Sequence, residues 1–175
     1  MSTAKNSTRG SRRSTAKRPP PAPTISTASV DLPAAVESPR FGRVAVDPAK
    51  VITFPRGMIG FPAQKRFVLL DHAPGSPFHW LQSVDEGGLA FPVASPLHFV
   101  TDYRPEYPSD LAEQVGEYGP EDLWLGVVVS FPPGEGRATL NLKAPVVLNS
   151  RSRLGVQLVL DNPAWPLRYA LPAGA

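Results

Sequence analysis

Eleven consecutive residues constrain the fold of this chain more than any other stretch: Thr139-Leu140-Asn141-Leu142-Lys143-Ala144-Pro145-Val146-Val147-Leu148-Asn149. Every even position is apolar, while the odd positions carry Thr, Asn, Lys, Pro, Val and Asn. A strand sends successive side chains to opposite faces, so the pattern is that of one long strand with its even face inward. Pro145 has no N–H to give to a ladder, which puts it at a sheet edge or a bulge. Asn141 and Lys143 then stand on the outer face, beside backbone with unpaired groups. That arrangement suits a partner surface better than a catalytic pocket.

The flanking runs extend the same architecture. Trp124 to Phe131 is almost unbroken apolar sequence and reads as a central strand. Pro132-Pro133-Gly134-Glu135-Gly136 turns it into the long strand, and Gly155 to Leu160 returns after a loop, completing an antiparallel meander. Upstream, short strands are expected at Val44–Val46, Val51–Phe54, Phe67–Leu70, Phe78–Ser83 and Leu89–Val93. The last two flank Asp85-Glu86-Gly87-Gly88, an acid-and-glycine hairpin signal. Pro92 assigns its strand an edge or an early exit. One helix is expected, from about Ser109 to Glu117, capped by Ser109, stopped by Gly119-Pro120 and held by Leu111 and Val115. About eight strands and one short helix predict an all-β fold, a small antiparallel β-barrel-like domain. Closure hides the strand edges.

Charge divides the chain in two. Residues 1–23 contain six Lys or Arg and no acid, whereas the remainder holds twelve bases and fifteen acids. The net charge of +3 therefore belongs to the N-terminal segment, and the rest is mildly acidic. Residues 1–40 are rich in Ser, Thr, Ala, Pro and base and cannot bury enough apolar surface to offset ordering entropy. They are expected to form a disordered basic tail, with the folded domain spanning 41–175. Direct nucleic-acid binding is expected, if anywhere, through that tail.

The chain has no cysteine, which excludes disulfides and thiolate chemistry. No run approaches the roughly 18 apolar residues of a membrane span, and the basic N-terminus lacks an apolar signal-peptide core. His72, His79 and His98 have no metal-ligand spacing, and His79 is expected on the outer face of its strand. Ser95, His98 and Asp102 are ordinary loop polarity rather than a triad, and the acids from Asp110 to Asp122 are a solvated helix face and its caps. No catalytic residue, cofactor or metal is expected. Trp80, Phe91 and Phe131 are expected in the core. Tyr103, between Asp102 and Arg104 in an irregular stretch, competes as an interface aromatic.

Several blocks together resemble the family of flagellar assembly factors called FliW. They are Ile52 to Phe61, Pro77-Phe78 with Leu81-Gln82-Ser83, Leu89-Ala90-Phe91, Asp102-Tyr103, Thr139 to Asn149, and Arg153 to Leu160. The resemblance implies a non-enzymatic barrel that binds newly made flagellin in the cytoplasm, as a chaperone does, and antagonises the translational repressor CsrA. Candidate contact residues are Phe54, Phe61, Asp102, Tyr103, Asn141, Lys143 and Pro145. Flagellin is expected to add a strand near Asn141, Lys143 and Pro145. The chain departs from the family pattern at Ile59, where proline is usual, which predicts a looser turn. It departs again at Trp165, where tyrosine is usual. The alternative reading is an OB-like nucleic-acid-binding module with a basic tail, and a weaker one is a small-ligand barrel.

Overall fold

A computed structural model describes residues 31–134 and 136–172. Ten strands and one α-helix follow in order: β1 Ala35–Ser38, β2 Gly42–Ala45, β3 Ile52–Thr53, β4 Arg66–Asp71, β5 Phe78–Ser83, β6 Ala90–Ala94, α1 Leu111–Val115, β7 Leu123–Ser130, β8 Thr139–Asn149, β9 Leu154–Gln157 and β10 Tyr169–Ala170. Strands β4 to β9 pair antiparallel with their neighbours in sequence, except that β3 enters between β4 and β9. The β3–β9 contact is parallel, Thr53 against Leu154. Because β9 also pairs with β8, β3 to β9 form a closed ring of seven strands, with β10 added on the first residues of β8. Closure removes the open edges that would otherwise template aggregation.

Order begins earlier than the sequence suggests. Ala35 to Ser38 pairs with Gly42 to Ala45 as a hairpin, six residues before Phe41. Alone, Ala-Val-Glu-Ser has no strand signal; its partner and the apolar side chains beneath it make it one. Val36, Phe41, Val44 and Val46 cover Val68 and Val84 of the barrel wall. Of the tail expected over residues 1–40, residues 1–30 lie outside the described residues.

The barrel interior is built chiefly by one face of five strands. Ile52, Phe67, Leu81, Val93, Val146 and Leu148 are buried together, with Phe54 and Met58. Trp124 lies flat across Gly126, where a Cβ would sit 2.2 Å from its ring. Only glycine fits there. His79 corrects the expectation of an outward side chain: it shares the face of Leu81 and Val93. Its ring meets Trp124 edge-on at 5.7 Å, and its Nδ1 lies 2.9 Å from Asp71 Oδ1.

The long strand occupies the predicted residues, Thr139–Asn149, and its even positions are all buried. They do not share one face, however. Val127 of β7 opposes Pro145, yet Val129 opposes Leu140, so two residues of β7 span five of β8. The three extra residues form a bulge and invert the parity. Val146 and Leu148 face the barrel interior, whereas Leu140 and Leu142 pack with Val127, Val129, Val100 and Tyr103 in a second cluster on the opposite face of the wall. Pro145 is thus at a bulge, the position where a missing N–H costs least. Pro92 is likewise tolerated because β6 pairs with β7 only from Val93 onward.

The helix is shorter than expected. It covers Leu111–Val115, with Asp110 rather than Ser109 at its N-cap position, and ends at Gly116, whose φ is +80°. Leu111 and Val115 are buried against Val147, Val156 and Leu158, as their spacing predicts. Its end is held by the close of β8 and the turn after it: Asn149 Nδ2 donates to the carbonyls of Val115 (2.9 Å) and, past the helix, Glu117 (3.1 Å), and the Ser152 hydroxyl also donates to Val115. Phe131, expected in the core, is 61% exposed because the strand ends at Ser130. Among the described residues no helix is long and apolar enough to cross a membrane.

Candidate partner-binding surface

The site is built around the turn that follows β3. Phe54 N–H donates to the Lys65 carbonyl, Gly57 N–H to the Phe54 carbonyl, and Phe61 N–H to the Met58 carbonyl at 2.8 Å. Gly57 and Gly60 have φ of +69° and +85°. A side chain at Gly57 would put its Cβ 2.5 Å from the Phe61 carbonyl oxygen. Glycine at both positions therefore closes the turn. It is tight with Ile59 in place of the family's proline, contrary to the expected loosening. The unrestrained side chain of Ile59 stands out, 54% exposed.

A second element fixes the turn to the barrel. Gln157, at the end of β9, accepts the Ile59 N–H on Oε1 at 3.0 Å. Its amide donates to the Ala144 carbonyl, inside the β8 bulge, at 3.3 Å. One side chain thus joins the turn to the bulge. The bulge is also braced from within, because Asn141 Oδ1 accepts the Ala144 N–H at 3.0 Å. The sequence reading missed Gln157, and no motif marks it. Its only signal is a polar residue breaking the apolar run of Gly155 to Leu160.

Turn and bulge frame a groove of about 460 Å³. Its apolar lining includes Ile59, Phe91, Val128, Val159 and Leu167, and Lys143 is its single charge. Val159 and Leu167 are 64% and 58% exposed. These open apolar side chains line one face of the groove. Beside it, Phe61 meets Phe91 edge-on at 5.1 Å, and Phe91 leads through Phe67 to Phe54 in the barrel. The exposed ring is thereby anchored to the core.

The structure separates the sequence candidates. Asn141 and Lys143 line the groove, and Phe61 flanks its turn half-exposed. Asp102 is exposed but on the loop after the β6 strand. Phe54, Tyr103 and Pro145 are buried and support this surface without forming it. The strand edge expected for a partner is already taken. Leu158 N–H donates to the Pro145 carbonyl and Leu160 N–H to the Lys143 carbonyl, both at 2.9 Å. The strand addition expected at this edge therefore meets backbone that is already paired.

The turn is also secured on its far side. Asp85 accepts hydrogen bonds from the backbone N–H groups of Lys65 and Arg66 and pairs with the Arg66 guanidinium. Burial pushes the Asp85 carboxyl up, but these three partners outweigh it and hold it below the usual carboxylate range. Among the described residues no cluster of His, Asp or Glu is placed to hold a metal ion.

A family model described as FliW protein matches residues 35–171. The chain is 35% identical over 134 residues to the flagellar assembly factor FliW of Syntrophus aciditrophicus, covering 77% of this chain and 85% of that protein. It is 37% identical over 137 residues to the flagellar assembly factor FliW of Natranaerobius thermophilus, covering 78% and 91%. A crystal structure of the flagellar assembly factor FliW matches with a TM-score of 0.73 and 28% identity, over 81% of this chain and 99% of that one.

Proposed function

The chain belongs to the FliW family of flagellar assembly factors, and we propose on that footing that it is a cytoplasmic, non-catalytic binding protein that holds unexported flagellin and antagonises a CsrA-type translational repressor. The observation that carries the binding role is the groove between the Met58–Gly60 turn and the β8 bulge. Its walls are apolar and open, its backbone is fixed by Gln157, and no titratable cluster converges on it. Such a groove accepts the apolar face of an amphipathic segment, with Lys143 available to an acid on it.

Regulation then follows from competing equilibria. While flagellin accumulates it occupies the protein. Once flagellin is exported, the freed protein binds the repressor and translation resumes. The scheme requires that one partner lower the affinity for the other.

Co-purification of the full chain with flagellin tests the first step. A stoichiometric complex is expected, and Leu167→Asp with Val159→Asp abolishes it, since both side chains are exposed and neither supports the core. Unchanged binding by that variant rejects this face. The OB-like nucleic-acid alternative predicts instead RNA binding that falls steeply with salt.

A further inference from the structure

The chain between β9 and β10 is held mainly at its two ends. Leu160 fixes its start: its N–H donates to the Lys143 carbonyl and its side chain is buried. Leu171 fixes its end: its N–H donates to the Ala138 carbonyl at 2.9 Å, and its side chain joins the cluster of Leu140 and Leu142. No residue from 161 to 170 is buried. β10 adds only the pairs Tyr169–Leu140 and Ala170–Thr139. Midway, a short turn sets Trp165 inward: Asn162 Oδ1 accepts the Ala164 N–H, and the Asn162 carbonyl accepts the Trp165 N–H. The indole meets Tyr103 edge-on and packs on the same cluster as Leu171. Its Nε1–H is shut off from solvent there and has no acceptor among the described residues. Trp80, by contrast, gives its Nε1–H to His72.

We propose that residues 161–171 are a strap that opens and closes apart from the barrel, with Trp165 as its latch and Leu167 as a movable wall of the Lys143 groove. Burying a donor without an acceptor is unfavourable, and water relieves it when the strap lifts. The latch is therefore balanced. Apolar packing of Trp165 on Tyr103 holds it shut, and the unpaired indole N–H works against closure. Opening breaks few buried contacts and few ladder bonds, which is the signature of a segment that unfolds locally before the rest. Leu167, just beyond the latch, lines the groove and stands open to solvent. An occupant that covers Leu167 buries that apolar surface only while the strap is closed. It therefore binds the closed form better, and occupancy and closure favour each other. The occupant's identity rests on the functional reading above; the strap does not.

Solvent exchange of the Trp165 indole N–H, followed by NMR on the full chain, reads the latch directly. Its resonance is assigned by its loss in Trp165→Phe. Protection of about tenfold or more over a free indole is expected, and about a hundredfold or more below that of the β7 and β8 ladder amides. Protection equal to the ladder amides overturns the strap, because Trp165 is then released only by global unfolding. No protection overturns it as well, because the latch is then never closed. Saturating flagellin is expected to slow the indole exchange by about tenfold or more. Leu167→Ala is expected to remove that slowing and to leave the rate in the free chain unchanged. Flagellin that binds without slowing exchange, or slows it equally in Leu167→Ala, overturns Leu167 as the movable wall. Flagellin that does not bind the full chain overturns the functional reading, and the rate in the free chain then decides the strap alone.

Discussion

The Tyr103 hydroxyl donates a 2.7 Å hydrogen bond to the Leu142 carbonyl, thirty-nine residues further along the chain. Leu142 sits in the bulge where β8 loses its register with β7, so its carbonyl needs a partner from elsewhere. Tyr103 supplies it from the loop after β6, and Trp165 closes over the tyrosine ring edge-on at 4.7 Å. Burial raises the phenol's pKa well above its ordinary value, so the hydroxyl stays a donor throughout the working pH range.

Tyr103→Phe is therefore expected to destabilise the fold by about 1–3 kcal/mol, the cost of stranding a buried carbonyl. Urea unfolding followed by tryptophan fluorescence measures it. A variant as stable as the parent shows that the bulge does not depend on this bond.

Gln157→Leu removes the acceptor of the Ile59 N–H without opening a cavity. Hydrogen exchange at Ile59 is expected to rise while exchange in β7 and β8 stays protected. Uniform acceleration across the barrel assigns Gln157 a global role instead.

Asp85→Asn loses the charge that receives the Lys65 and Arg66 N–H groups and the Arg66 guanidinium. Its folded pKa lies below the ordinary value near 3.8, so the ionised form is favoured by folding. That contribution is complete above the unfolded pKa and is lost as pH falls through the folded one. The parent should lose stability steeply in this acidic window, and the asparagine variant less so. Parallel pH profiles of the two proteins contradict the assignment.

Gly126→Ala places a methyl carbon where the Trp124 ring now lies. Overpacking of this kind costs about 1–3 kcal/mol or more. A lower thermal midpoint with a shifted tryptophan emission is expected, and an unchanged emission means that the ring is elsewhere in solution.

The barrel was legible from periodicity, but its functional geometry was not. Every even position from Leu140 to Leu148 is apolar, and that period marks the strand. Alternation alone cannot report that three extra residues at the bulge send Leu142 and Val146 to opposite faces, because parity depends on the partner strand. Ala35–Ser38 was missed for a related reason: its hairpin partner, not its own residues, makes it a strand. The sequence places Pro145 at an edge or a bulge, and only the Leu158 and Leu160 donors decide between them. Ile59 departs from the usual proline, yet Gly57 and Gly60 already dictate the turn. Gln157 was invisible because both its bonds reach residues remote in sequence.

The central claim is that the groove beside the Met58–Gly60 turn holds flagellin. Titration calorimetry of flagellin into the full chain, and into Val159→Asp/Leu167→Asp, tests it most directly. The account predicts one-to-one binding by the parent and none by the folded variant. Equal heats from both proteins, or no heat from the parent, contradict it.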